Sequence, residues 1–139
     1  MSMKALVTAL VTGLISVIAA LAAGMAAAHH SFSAEFDPDR PVKFTGKVTE
    51  VKFSNPHAWI YMDVAGEDGK TVQWALEMGG ANALIRRGWR REDLPAGTVL
   101  LVEGWQARNA TPTANIATVT FEDGRTLFAG SSNPAAKQQ

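Results

Sequence analysis

Val42-Lys43-Phe44-Thr45-Gly46-Lys47-Val48-Thr49-Glu50-Val51-Lys52-Phe53 is the stretch on which the fold turns. Val42, Phe44, Gly46 and Val48 alternate with Lys43, Thr45, Lys47 and Thr49, the period of two that sends successive side chains to opposite faces of a strand. The apolar phase then slips, and Val51 and Phe53 carry the other parity. A bulge or sharp bend near Thr49 absorbs such a slip. A long strand bent in this way can pair with one neighbour along its first half and another along its second, which is what closing a small barrel requires.

Further strands follow on the carboxyl side. Asn55-Pro56 marks a turn, and then Ile60, Met62 and Val64 alternate with Trp59 and Tyr61. Gly66-Glu67-Asp68-Gly69 is a hairpin loop leading to Val72, Trp74, Leu76 and Met78, which alternate with Thr71, Gln73, Ala75 and Glu77. Ala81 to Arg87 reads as a short helix with Leu84 and Ile85 inward and Gly88 as its stop. Val99 to Trp105 and Ile116 to Phe121 are the fourth and fifth strands, and Asp123-Gly124 turns the chain into a short return at Thr126 to Phe128. The order predicts a mainly β fold: a small five-stranded OB-like barrel with one short helix between strands 3 and 4. A small open β-sandwich with the helix as connector is the alternative.

On the amino side the chain changes character. Residues 5–28 carry no charge, follow a short segment bearing Lys4, and end in Ala26-Ala27-Ala28. A basic start, an apolar stretch and an Ala-x-Ala end make a secretory signal peptide, 1–28. The run is also long enough for an uncleaved anchor, but its Ala- and Gly-rich last third suits a peptidase groove better than lipid. The expected organisation is therefore signal peptide 1–28, amino-terminal arm 29–41, barrel 42–128 and disordered tail 129–139. The protein is expected to be periplasmic or secreted, with no stable membrane anchor after cleavage. Phe32 and Phe36 are the arm's expected anchors.

Composition narrows the function classes. The chain has 139 residues, 13 Lys and Arg, 13 Asp and Glu, and no Cys. Without Lys4 the balance stays near neutral, unlike a nucleic-acid binder or a protein held to anionic membrane by accumulated positive charge. Absence of Cys excludes disulfides and lipid attachment through Cys, so packing alone must hold the domain.

His29-His30-Ser31-Phe32, Phe36-Asp37, Gly46-Lys47-Val48, Asn55-Pro56-His57, Leu84 to Trp89, Pro95-Ala96-Gly97 and Asp123-Gly124 occur in an order that resembles a family of small exported bacterial proteins labelled only as a domain of unknown function. The resemblance covers essentially the whole mature chain. It implies export and a compact β-rich domain, and it brings no activity or catalytic residues.

Three sets of residues carry candidate chemistry. Cleavage after Ala28 would leave His29 with its α-amino group and ring nitrogen as a chelating pair. Cleavage after Ala27 would put His30 third, the arrangement of a square-planar Cu(II) or Ni(II) terminus. The arm, up to about 40 Å when extended, can reach the loop that bears His57. His29, His30 and His57 are thus the candidate metal ligands, with copper the expected ion. Solvent-exposed histidines beside a processing site are the plain alternative. Met62 and Met78, the soft donors for Cu(I), read as core.

The second set is Arg86, Arg87, Arg90 and Arg91 around Trp89, where Arg86 and Arg90 could hold an anion with Trp89 as a stacking surface. A solvated face with Trp89 tucked under the helix end is the alternative. The third set is Trp59 and Tyr61, which face away from Ile60 and Met62 and offer stacking surfaces, with burial beneath the entry segment as the equal alternative. Glu77 and Glu103 read as strand-surface residues, and no Ser-His-Asp or paired-carboxylate spacing stands out, so no enzyme is expected. The sequence points to a periplasmic binding module for a small ligand or envelope protein. A metal-handling protein and a structural partner of an envelope complex are the alternatives.

Overall fold

The computed structural model describes residues 32–130. The chain divides into two units, Met1–Glu35 and Phe36–Gln139. Of the first, the described part is a helical turn over residues 32–35. The segment read from sequence as a signal peptide, and residues 131–139, lie outside the described residues. Among those described, no helix is long and apolar enough to cross a membrane.

The second unit is mainly β and begins with a 17-residue strand, β1 (Phe36–Lys52). The strand starts earlier than Val42, so Phe36 to Pro41 belong to the sheet rather than to the arm, with Phe36 buried. β1 is shared between two partners. Pro41 to Lys47 pair antiparallel with β4 (Val99–Ala107), and Lys47 to Lys52 pair antiparallel with β2 (Trp59–Ala65). The register breaks between Val48 and Glu50, leaving Thr49 as the extra residue. This is the bulge that the phase slip predicted. Thr49 turns its hydroxyl back to donate to the Tyr61 carbonyl at 3.1 Å. Gly46 stands where the two partners meet β1, and a Cβ there would lie 2.9 Å from the Asp63 carbonyl oxygen.

The Gly66–Lys70 turn joins β2 to β3 (Thr71–Glu77), with the Asp68 carboxylate accepting from the Lys70 N–H. After β3 come α1 (Ala81–Arg86), a 3-10 turn (Arg91–Asp93), β4, β5 (Thr113–Phe121) and β6 (Thr126–Phe128). The sheet order is β3-β2-β1-β4-β5-β6, and a parallel pairing of β3 with β5 closes it into a ring. The strand count is six, not five. The Asp123-Gly124 turn lets the return segment pair with Thr118 to Thr120 of β5 and so become a strand. Nor does the ordered chain stop at Phe128. Ala129 is fully buried, donates its N–H to Ala117 and accepts from Gly79, so it belongs to the folded unit and not to the tail expected from residue 129.

Inside the ring, Val48, Ile60, Met62, Leu76, Leu100, Val102, Ala114, Ile116 and Val119 form the core. Burying each large apolar side chain contributes about 1.5–3 kcal/mol. Met62 and Met78 are both fully buried, as the sequence reading has them. The helix differs from expectation. Leu84 is buried but Ile85 is 52% exposed. Adjacent positions on a helix lie about 100° apart, and a helix this short offers the core only one narrow face. Gly88, at φ 95°, ends it as expected.

Candidate functional site

The loop between β1 and β2 carries His57, and its seat is built by the segment that follows β3. Ala58 donates to the Gly79 carbonyl at 3.2 Å, Met78 donates to Ala58 at 2.8 Å, and Ala81 donates to Ser54 at 3.0 Å. Asn55 accepts from the Asn82 N–H through its side-chain oxygen. Gly80 permits this approach, because a Cβ there would meet the Pro56 carbonyl oxygen at 2.6 Å. Ser54 donates its hydroxyl to the His57 carbonyl at 2.7 Å, which fixes the backbone from which the ring projects.

The ring nitrogen Nδ1 of His57 hydrogen-bonds Oε1 of Glu77. Glu77 is not a strand-surface residue: only 5% of it is exposed. Its position on β3 pairs with Trp59 on one side and with Asn115 on the other, while Ile60, Leu76 and Ala114 form the row of partners beside it in the core. Glu77 therefore stands on the outward side of the ring and is covered there. Asn115 is buried beside it and donates its amide to the same Oε1 at 3.3 Å. Oε1 thus has two partners, the Asn115 amide and the His57 ring; an ionised carboxylate only accepts, so opposite one Nδ1 would be the donor. The His57 side chain is 38% exposed, and Nε2 is the nitrogen left for another partner.

Trp59 and Tyr61 lie on the same outward side, half-buried, along β2. The Lys52 ammonium sits 4.8 Å over the Tyr61 ring. Around the ring the row continues from Asn115 to its partner Trp105 on β4, and from Trp105 to Pro41. Trp105 and Pro41, with Lys43 and Glu103, line an open cleft of about 400 Å³. The Lys43 ammonium reaches Glu103 at 2.8 Å. That hydrogen bond is the main reason the Glu103 carboxyl is held below its ordinary pKa, against the opposing effect of burial and helped by the Lys43 charge and the Thr118 hydrogen bond.

The other predicted site residues go elsewhere. Trp89 is 1% exposed, its indole N–H donates to the Phe128 carbonyl at 2.9 Å, and its ring packs near Phe121. No face remains for a ligand to stack on, so Trp89 is a core anchor tucked beneath the end of α1. Arg86 and Arg90 are exposed beside it. Arg87 and Arg91 turn to different neighbours. Arg87 donates to the Gly130 carbonyl and lies over Phe128, while Arg91 lies over Phe53, so the run is not a single anion cradle. His29 and His30 lie outside the described residues. Among the described residues no group of three or more His, Asp or Glu side chains gathers as a metal site.

The structure thus brings His57 to the face of Trp59 and Tyr61, which the sequence offers as separate candidates, and the sequence reading misses Glu77, Asn115 and Trp105. For Glu77 the alternation with Leu76 was a usable signal, since it gives the face shared with Trp59. Its burial was not legible, because the parallel β3–β5 contact that supplies Asn115 is a product of closure.

A family described as a family of unknown function (DUF6152) matches residues 17–115 of the chain. No curated protein and no solved structure matches it.

Proposed function

We propose that this chain, which belongs to the family of unknown function DUF6152, is an exported, non-catalytic binding module that takes its ligand on the face carrying His57, Trp59 and Tyr61. The observation that carries this reading is His57, hydrogen-bonded to a buried carboxylate and itself 38% exposed, beside two half-buried aromatics. Stability alone is served as well or better by apolar residues at a covered position. A fully partnered polar group ending in an accessible imidazole is an arrangement for recognition. Tryptophan and tyrosine faces add stacking area at low entropic cost.

The fold proposed for the module is an OB-like barrel. Support comes from the ring order, the parallel β3–β5 closure, the helix between β3 and β4, and a first strand shared by two partners. Barrels of that kind bind through the strand 2–3 surface and the loops joining strands 1 and 2 and strands 4 and 5. In this chain those are the Trp59–Tyr61 surface, the His57 loop, and the loop held by Asn109 and Thr111 next to Asn115. Export is read from the leader, whose loss would leave His29 or Ala28 first.

Two measurements test the reading. Intact mass of protein recovered from the periplasm is expected to show the leader removed between Ala27 and His29. Amide NMR spectra recorded with envelope small-molecule fractions are expected to shift for residues 54–61 and to lose that response in Trp59→Ala with folding unchanged. Retention of Met1 in the cytoplasm would sink export. Shifts confined to the far side of the ring, or none with any fraction, would sink the binding face.

A further inference from the structure

We infer that α1 and the turn after it, with Ile85, Arg86 and Arg90 exposed, form a docking surface for an acidic protein segment that carries an apolar side chain. This surface goes beyond the face proposed above. Residues 81–91 hold four arginines and no Asp, Glu or Lys. The other three arginines of the chain each reach an aspartate: Arg40 and Arg108 reach Asp37, and Arg125 reaches Asp93. Among the described residues Arg86, Arg87, Arg90 and Arg91 form no ion pair. All 13 Asp and Glu of the chain lie within residues 32–130, so its own side chains leave these four arginines without a carboxylate. Positive charge gathered in this way steers an acidic partner.

The apolar part of the surface is Ile85, 52% exposed in the middle of the charge. Asn82, Ile85 and Arg86 are all exposed and stand three and four positions apart, which puts them on one side of the helix. The segment is anchored from beneath by Leu84 and Trp89, both buried, and its start is bonded to Ser54 and Asn55. Two of the guanidinium groups are already held. Arg87 lies 4.9 Å from the centre of the Phe128 ring and donates to the Gly130 carbonyl, and Arg91 lies 5.4 Å from the centre of the Phe53 ring. A guanidinium laid on a ring keeps in-plane N–H groups for a carboxylate, and a side chain held beforehand loses less freedom on binding.

The arrangement sets the class of partner. A small anion asks for arginines that converge, and Arg87 and Arg91 lie on rings in different parts of the fold. An anionic membrane asks for net positive charge and more apolar area than one isoleucine, and the chain carries 13 basic and 13 acidic side chains. Arginine without lysine around an apolar centre is the composition of a protein interface. Beside Arg91 an open cleft of about 260 Å³, lined by Phe53, Val51 and Leu94 among others, extends the surface.

The experiment titrates the full chain, as its host processes it, with a synthetic peptide of glutamates around one central leucine, and follows backbone amides by NMR. The same peptide with serine for leucine, inorganic phosphate and phosphatidylglycerol vesicles are titrated beside it. The leucine peptide is expected to shift residues 82–91 and to bind more weakly as salt is raised. Exchanging Arg86 and Arg90 together for Ala is expected to lower its affinity about tenfold. Ile85→Ser, or the serine peptide on wild type, is expected to lower it about threefold. These three side chains are exposed, and the serine peptide on the unchanged protein carries the comparison should a variant fold poorly. Residues 82–91 unmoved by millimolar leucine peptide would overturn the inference, as would equal binding of the leucine and serine peptides. Phosphate reproducing the same shifts would reduce the surface to a contact for free anions and overturn it. Vesicles that bind through Arg86 and Arg90 while the peptide does not would give the surface to a membrane and overturn it also. Shifts at 54–61 alone would overturn this surface and leave the His57 face standing.

Discussion

Glu77 and Glu103 stand on the outward sides of strands that flank β5, and each reaches a β5 side chain. Glu103 accepts from Thr118 at 3.2 Å and pairs with Lys43 at 2.8 Å, with 43% of its side chain exposed. Glu77 accepts from Asn115 and His57 with 7% exposed. They have one residue type, one strand face and one neighbouring strand, yet opposite environments. Glu103 lies mid-wall, where water still reaches both members of the ion pair, and such pairs are worth little. Glu77 lies where β3 closes onto β5 and the His57 loop folds across it, so its hydrogen bonds must replace the water it lost. A carboxylate's position in the alternation assigns it a face. The closure of the ring assigns it a solvent.

The sharpest way to disturb both environments at once is Gly104→Ala. A Cβ there would lie 2.2 Å from the Asn115 carbonyl oxygen and 2.7 Å from the Ile116 Cα, so β4 and β5 must separate next to both glutamates. A loss of about 3 kcal/mol is expected in urea unfolding. A loss below about 1 kcal/mol would show that the register irregularity there is not fixed by this close approach.

Glu77→Ala strands the His57 and Asn115 donors and is expected to cost about 2 kcal/mol in the same assay. Glu103→Ala is expected to stay within about 0.5 kcal/mol. Equal losses would erase the distinction between the two sites. A double-mutant cycle of Glu77→Ala with Asn115→Ala should give a coupling of about 1 kcal/mol, whereas Glu103→Ala with Thr118→Ala should give about zero.

The smallest expected effect is in the acid limb of the stability curve. Lys43 lowers the Glu103 pKa in the folded state, so the unfolded chain takes up that proton first as pH falls. The contribution is present above the unfolded-state pKa and is lost as pH drops through the folded one. Lys43→Ala should flatten that part of the curve slightly, and 1 M salt should do the same in wild type by screening the pair. A Lys43→Ala acid limb identical to wild type would mean that the Thr118 hydrogen bond holds Glu103 instead.

Much of the fold was legible because it is local. The alternation from Val42 to Val48 and the slip at Thr49 name β1 and its bulge, and Asp123-Gly124 names the last turn. Errors gathered where a neighbour outvoted the pattern. Ile85 looked inward by composition but a one-sided helix left it exposed, and Ala129 looked like tail until Gly79 and Ala117 bonded it. Of the candidate site, strand parity puts Trp59 and Tyr61 on one face and the Asn55-Pro56 turn puts His57 in a loop, but that His57 joins their face depends on its bond to Glu77. Trp89 could not, because an indole beside four arginines reads the same whether it covers a core or faces a ligand.

By itself the sequence determined a mainly β domain, its main strands and turns, the bent first strand and the chemistry available: imidazole and carboxylate without thiol. Those follow from period-two patterning, from turn residues and from composition, all properties of near neighbours along the chain. Only the tertiary structure decided that Glu77 is buried, that His57 rests on it and that Trp89 plugs the core. These depend on contacts across 20 residues from His57 to Glu77, 38 from Glu77 to Asn115 and 39 from Trp89 to Phe128. No local pattern encodes such distances; ring closure brings the partners together.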